Sequence, residues 1–175
     1  NPDSYDFVQY ANLWQDPEDE NNLRLKINPY TIRNQNEGIR AQMGDSSGYA
    51  AIAIWLDANE LLDSNLTFNV QPSLSGSSNT YKDLGSNNPI YLIPTGGTLQ
   101  TINTSGNRFS PGSNSAFRDV GSGWVIIPFE SYTGNGTLTP GSGTISFDFR
   151  IIGSGSFSGQ EEYMLDDLQM LTSED

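Results

Sequence analysis

The sequence predicts an all-β fold, either an antiparallel β-sandwich or a jelly roll. Several short segments alternate apolar and polar residues with a period of two, which is typical of half-buried strands. Turn-forming residues separate these segments, and the chain contains 18 glycines and 9 prolines. No segment has convincing helical periodicity. We therefore expect eight to ten short strands in a single domain spanning residues 1–175.

The first half of the chain supplies four predicted strands. Leu23–Ile27 alternates apolar and basic residues, and residues 38–43 alternate in the same way. Residues 50–57 are more continuously apolar, as expected for a strand at the centre of a sheet or covered on both faces. Residues 66–71 alternate most clearly, and we expect Pro72 to end that strand.

The second half continues the pattern. Residues 89–93 form a short apolar segment, and residues 124–129 contain a proline that must lie at an edge, at a bulge or at the strand's end. Residues 144–151 alternate clearly, and Tyr163–Leu171 closes the chain. Between them, residues 99–120 are rich in Ser, Asn and Gly but carry aromatic side chains, which predicts a long functional or lid-like loop.

Composition excludes several classes of function. The chain has 8 basic and 21 acidic residues, a net charge of −13 and a pI near 4.1, which disfavours nucleic acids and anionic membrane surfaces as partners. Cysteine and histidine are absent, which removes disulfides, thiol nucleophiles and imidazole catalysis. No pair of carboxylates stands out as catalytic, so we expect a domain that is not an enzyme.

Composition also bears on the compartment and the context of the chain. The high content of Gly, Ser, Thr and Asn resembles that of extracellular bacterial modules, which predicts secretion. The sequence begins at Asn1 without an initiator Met. We therefore expect a monomeric module that belongs to a larger, multimodular protein.

One set of polar residues predicts a binding face. They alternate with the apolar positions of three strands, so they share the opposite faces of those strands. Their amide, guanidinium and carboxylate groups suit a ligand made of hydroxyls, with Tyr91 as a stacking aromatic; Tyr30, Tyr81 and Trp55 are further candidates. The competing interpretation is an ordinary solvent-facing sheet surface. The predicted polar face comprises Arg40, Gln42, Asn69, Gln71, Asp148 and Arg150.

Tryptophans and acidic residues raise separate questions. Because a Trp in a β-sandwich usually fills the core, we expect Trp55 and Trp124 to be buried there, and Trp14 to pack under the N-terminal segment. Asp166 and Asp167 interrupt the closing strand, and strict alternation would send them to opposite faces. We expect this strand to be structural and to close the sandwich against the N-terminal segment.

Four segments carry a resemblance to a known family. Asp6-Phe7, followed by Trp14, resembles the opening of that family, and residues 53–57 resemble its first long strand. Residues 123–132, reading GWVIIPFESY, resemble a recurring Trp-Pro-Phe-Ser segment, and Tyr163–Leu171 resembles its closing strand. Together they resemble the galactose-binding-like jelly roll of bacterial carbohydrate-binding modules, in particular those similar to family 11 modules of cellulosomal glucanases.

The resemblance implies a non-catalytic module that holds an extracellular polysaccharide-degrading enzyme on plant cell-wall β-glucan or hemicellulose such as xyloglucan. It places the predicted polar face and Tyr91 on the strands of a concave binding sheet. It also implies one structural Ca²⁺, held by an acid of the closing strand, which we expect to be Asp167, and by an acid of the opening segment, where we expect Asp6 to substitute for the family's ligand. Val8 stands where the family has a glutamate ligand, and Glu37 could substitute. The alternative function is a bacterial surface adhesin or cell-envelope interaction domain with the same fold.

Overall fold

The structure is a computed structural model that describes residues 11–15, 23–27, 39–58, 66–74, 81–141, 143–153 and 163–174. These residues form ten strands and one short α-helix, together with two 3-10 turns at Pro111–Ser113 and Phe129–Ser131. The strands are β1 (Ala11–Gln15), β2 (Leu23–Ile27), β3 (Ile39–Asp45), β4 (Ala51–Asp57), β5 (Leu66–Leu74), β6 (Pro89–Pro94), β7 (Gln100–Asn103), β8 (Ser122–Pro128), β9 (Thr144–Gly153) and β10 (Tyr163–Leu171).

The strands form two antiparallel sheets. The larger has seven strands in the order β1-β2-β10-β4-β8-β6-β7, and the smaller has three in the order β3-β9-β5. The predicted all-β sandwich is confirmed. Strand β10 pairs with β2 on one side and with β4 on the other, so the last strand does close the sheet against the N-terminal segment.

The hydrophobic core lies between the two sheets. In β4, Ile52, Ile54 and Leu56 are buried at alternate positions and face inward. Phe147 in β9 is fully buried in the same cluster. Its ring stacks against that of Phe129, with ring centroids 6.3 Å apart, and this contact joins the smaller sheet to the end of β8.

Strand β5 continues through Pro72 to Leu74, so the prediction that this proline ends the strand was wrong. β5 is an edge strand of the smaller sheet. The carbonyl of Pro72 accepts a hydrogen bond from the Lys82 N–H (2.9 Å), so it points away from β9. In a strand, the nitrogen and the carbonyl of one residue point to the same side, so the nitrogen of Pro72 also points away from β9. The pairing with β9 therefore needs no N–H donor at this position.

The predicted loop at residues 99–120 contains regular structure, which corrects that expectation. Besides β7, it holds the helix α1 (Ser115–Val120). Asn114 caps the helix start by accepting a hydrogen bond from the Phe117 N–H (3.0 Å), and Gly121 ends it with a φ of 78°. Phe117 anchors the helix in the core. No helix of the described ranges is long and apolar enough to cross a membrane.

The two acids of β10 lie at a β-bulge. The pairing of β10 with β4 shifts between Asp166 and Gln169, and Asp167 has a φ of 48°. Aspartate tolerates this left-handed conformation better than most residues. The Asp166 carboxylate accepts a hydrogen bond from the Asp167 N–H at 2.9 Å. The bulge explains why acids interrupt an otherwise apolar strand.

Tyr132 ties the larger sheet to the smaller one. Its buried hydroxyl donates a hydrogen bond to the Val70 carbonyl in β5 at 2.7 Å. Burial, assisted by the negative charge of Asp83, holds the pKa of Tyr132 well above its usual value. The phenol is therefore neutral over the whole physiological range, and ionising it would destabilise the folded state.

We expect Tyr132→Phe to lower the free energy of unfolding by about 1–3 kcal/mol at neutral pH, because the buried Val70 carbonyl loses its donor. The folded-state pKa of Tyr132 lies above the unfolded value of about 10. Its contribution is therefore complete below about pH 10 and is lost as pH rises through the folded-state pKa. Urea unfolding from pH 7 to 11 should show the difference between wild type and variant shrinking above pH 10. A constant or widening difference would contradict the assignment.

Candidate functional site

The backbone register brings the predicted polar face together on the smaller sheet. Arg40 pairs with Asp148, which pairs in turn with Gln71. Asn69 pairs with Arg150 in the adjacent row. Gln42 follows two residues after Arg40 in β3, so it lies on the same face. The side chains of Arg40 and Arg150 lie outside the described part of the structure.

Two of the four described side chains of this face are inaccessible to a ligand. Asn69 is 3% exposed and Asp148 is 5% exposed. The amide of Gln71 donates a hydrogen bond to the Asp83 carboxylate at 2.5 Å, which uses one of its two N–H donors. Gln42 is exposed. It is the only one of the four described side chains of the predicted face that is exposed and makes no hydrogen bond to a described residue.

Asn69 has a further peculiarity. Its side-chain oxygen, Oδ1, is buried without a hydrogen-bond partner among the described residues. An unsatisfied buried acceptor costs about 1–3 kcal/mol. Asn69 and Asp148 are therefore buried polar positions within this face of the smaller sheet.

Tyr91 lies away from the polar face, on the other sheet. It belongs to β6 and pairs with Ile126 on β8. Its neighbours Ile90 and Leu92 are fully buried in the core, so the ring of Tyr91 points to the outer face of the larger sheet. The two outer faces lie on opposite sides of the sandwich. The structure thus separates Tyr91 from the six residues with which the sequence grouped it.

A groove of about 810 Å³ lies beside Tyr91 on this outer face. Its volume falls in the range of about 300–1,000 Å³ that is typical of ligand pockets. Apolar and aromatic side chains supply most of its surface, and strands β4, β6 and β8 form its floor. The groove is lined by Tyr49, Ala50, Ala51, Tyr91, Ile93, Leu99, Ile126, Pro128, Phe129, Glu130, Thr137, Leu138, Pro140, Leu171, Thr172 and Ser173.

Hydrogen bonds connect one wall of the groove to the turn that follows β3. The segment around Leu138 forms one wall, and its end is tied to the turn after β3, where the Ser46 hydroxyl exchanges hydrogen bonds with the Gly141 backbone. In the same turn, the Asp45 carboxylate accepts a hydrogen bond from the Ser47 N–H at 2.7 Å. Hydrogen bonds from the Ser47 hydroxyl and N–H hold the pKa of Asp45 below its usual value. The turn is thereby stiffened by an ionised acceptor.

The groove combines apolar area with a few polar groups at its edge. Leu99 is 59% exposed, which is unusual for a large apolar side chain. Glu130, Thr137 and Ser173 are exposed and offer a carboxylate and hydroxyl groups. In such a site, apolar side chains can stack against a ligand that has a flat apolar surface, and polar groups at the edge can orient that ligand by hydrogen bonds.

Trp55 and Trp124 also lie on this outer face, so the expectation that they fill the core was wrong. They pair directly across β4 and β8. Both are half-buried, and neither belongs to the core cluster. The inward positions on either side are taken by Ile54 and Val125, so alternation turns the two indoles outward.

The remaining predicted aromatic residues are not among the described residues that line the groove. Tyr81 is half-buried, and its backbone carbonyl accepts a hydrogen bond from the Asn135 side chain at 2.9 Å. Tyr30 lies outside the described residues. Trp14 lies in β1, opposite Arg24, and its side chain is likewise not described.

The calcium prediction concerns residues that are only partly described. Asp6, Val8 and Glu37 lie outside the described residues. Asp167 is exposed at the bulge of β10. Within the described ranges, no group of three or more acidic side chains could hold a metal ion. The calcium site therefore stays a prediction.

Sequence reasoning missed most of the groove. Tyr49, Ile126 and Leu99 were not predicted as site residues, because an apolar residue in a β-sandwich is normally assigned to the core. Residues 124–127 are all apolar, so alternation in the sequence does not separate Ile126 from its inward neighbours. The walls come from segments distant in sequence and left no signal either.

Comparisons with known proteins returned nothing: no family model, no curated protein and no solved structure matches this chain. The function must therefore be argued from the site.

Proposed function

We propose that this chain is a non-catalytic domain that binds polysaccharide through the groove on the outer face of the larger sheet. The observation that carries this proposal is the groove itself, in which Tyr91 and Tyr49 accompany apolar residues and hydroxyl groups stand at the edge. The proposed site differs in position from the one predicted from the sequence. The groove lies on the larger sheet, whereas the predicted polar face lies on the smaller sheet. The proposed site keeps Tyr91 as a contact.

Sugar chemistry matches this lining. A pyranose ring in a β-linked glycan presents flat patches of C–H groups on its two sides and hydroxyls around its rim. Aromatic and aliphatic side chains such as Tyr91, Ile126 and Leu99 can cover the C–H patches and remove them from water. The Glu130 carboxylate and the Thr137 hydroxyl can pair with the hydroxyls at the rim.

The chemistry of the chain favours binding over turnover. The sequence has no histidine and no cysteine. A glycosidase would need two carboxylates about 5–10 Å apart across one bond. Among the described residues that line the groove, Glu130 is the one acidic side chain.

The finer parts of the proposal rest on the resemblance described above. They are a galactose-binding-like jelly roll, a structural Ca²⁺, secretion by a bacterium, and a parent enzyme that degrades plant cell walls. β-Glucan and hemicellulose are the proposed targets, because their uncharged chains suit a protein with a net charge of −13.

An affinity gel series tests the proposal directly. Four native gels contain soluble β-glucan, xyloglucan, xylan or mannan. The purified domain should migrate more slowly in at least one of them than in a gel without polysaccharide. A non-binding acidic protein of similar size provides the control for matrix effects. Unchanged mobility in all four gels would overturn the proposal and would favour a protein partner, as in the adhesin alternative.

A further inference from the structure

The two outward-facing tryptophans continue the groove along the sheet. Trp124 pairs with Ile93 on β6, and Ile93 lines the groove. Trp124 also precedes Ile126, another lining residue, by two positions on the same face of β8. On its other side, Trp124 pairs with Trp55. The indole of Trp124 is therefore adjacent to the groove without being part of its lining.

The geometry points to a site longer than one sugar. From Trp124 to Pro128, which lines the far part of the groove, β8 advances four residues, or about 13 Å. Resting on the proposed function, we propose that Trp124, with Trp55 beside it, forms a second stacking position, so that the domain binds the interior of a linear, uncharged glycan several sugars long.

Placement and burial support a ligand-binding role for Trp124. The outer face of an antiparallel sheet is normally polar where it meets water. Here a large aromatic side chain is half-buried on that face, while the core beneath it is filled by Val125 and Ile127. Trp124 thus adds apolar area on the surface that the core does not need. Because this apolar area adjoins the groove, one glycan chain can contact both.

The charges of the groove and of the whole protein select against an anionic glycan. Glu130 lines the groove itself. A uronic-acid polymer would place its carboxylates near Glu130, on a protein whose net charge is already −13. An uncharged glycan meets no such repulsion.

The experiment uses linear oligosaccharides of increasing length, prepared from whichever polysaccharide retards the domain in gels. For the wild type, affinity measured by calorimetry should rise about tenfold once the chain is long enough to reach Trp124. Tryptophan emission should change only with those longer chains. Trp124→Ala should bind the short chains like the wild type and lose the tenfold gain. A carboxymethylated form of the same polysaccharide should be retained weakly at low salt.

Trp124→Phe keeps a ring at this position, so it should recover part of the gain and should lose most of the emission change. The emission comparison is needed because the chain has three tryptophans. Thermal unfolding of both variants checks the fold, and Trp124→Phe carries the test if the alanine variant is unstable. Equal affinities of wild type and both variants for long chains would overturn this inference while leaving the proposed function intact. Absence of binding to any chain would overturn the proposed function itself.

Discussion

Tyr91→Ala is expected to weaken binding of the retained polysaccharide by about tenfold or more while the fold is preserved. Tyr91 lines the groove, on a strand whose neighbouring residues Ile90 and Leu92 are fully buried. Removing the ring takes away apolar area that stacks on the ligand. Truncating a desolvated aromatic contact typically causes a large loss of binding affinity. Calorimetric titration with the same polysaccharide measures the effect.

Two matched variants show which face binds. Tyr91→Phe keeps the ring and should retain most of the affinity. Gln42→Ala removes an exposed side chain from the polar face of the smaller sheet and should leave affinity unchanged. The opposite pattern, with binding sensitive to Gln42 and insensitive to Tyr91, would place the site on the smaller sheet and contradict the proposed function.

The strands could be predicted because each alternates about a buried face. Leu23–Ile27 and Tyr163–Leu171 were predicted with their observed bounds, and most other predicted strands differ by one to three residues at their ends. Alternation determines such segments locally, since one face of each strand must be buried. The same rule could not say which sheet a strand joins. Tyr91 was therefore grouped with residues on the far side of the sandwich.

The tryptophans show where residue type misleads. A large apolar residue suggests the core, but the position of Trp124 between Gly123 and Val125 decides its orientation. Val125 is 2% exposed, so its neighbours in the strand must face outward. In the sequence, residues 124–127 are all apolar, so period-two alternation is invisible there. Only the pairing of β8 with β4 and β6 resolves it.

Two local features depart from the predicted pattern of regular strands, the bulge in β10 and the helix α1. Leu165 is buried, and Leu168 and Met170 pack against the core, so the inward positions of β10 change parity between residues 165 and 168. Such a change requires one extra residue, which is the bulge at Asp167. Likewise, Asn114 and Gly121 bracket α1 as an N-cap and a left-handed C-cap. The helix has only six residues, which is too short to show a helical period in the sequence, so it was not predicted.

Burial of the polar face could not be predicted from these strands alone. Asn69 and Asp148 occupy positions that alternation assigns to an outer face, yet both are nearly inaccessible. Accessibility depends on everything that packs on a face, including segments far away in sequence. The amide of Gln71, for example, is taken by Asp83, twelve residues later. A coherent set of polar residues therefore did not by itself identify a binding site.

Gly123→Ala is expected to produce the largest loss of stability among these variants, about 2–5 kcal/mol in the free energy of unfolding. Gly123 has a φ of 154°, which side-chain-bearing residues rarely adopt. A Cβ there would lie 2.8 Å from Cε2 of Phe117 and 2.8 Å from Cα of Pro94, and closer still to the Ile93 carbonyl oxygen. Two of these three contacts are with backbone, which cannot move aside as a flexible side chain could.

The consequence should extend to the binding face, because Gly123 pairs with Leu56 on β4 and with Pro94 on β6, and it directly precedes Trp124. Separating β8 from β6 would displace Trp124 relative to Ile93, so affinity for long chains should fall along with stability. Gly44→Ala is the matched control, since Gly44 has open space around its Cβ position and should change stability by less than about 0.5 kcal/mol. Urea unfolding of the two variants measures the difference. Equal stability of Gly123→Ala and Gly44→Ala would show that β8 and β6 do not pack as closely as described.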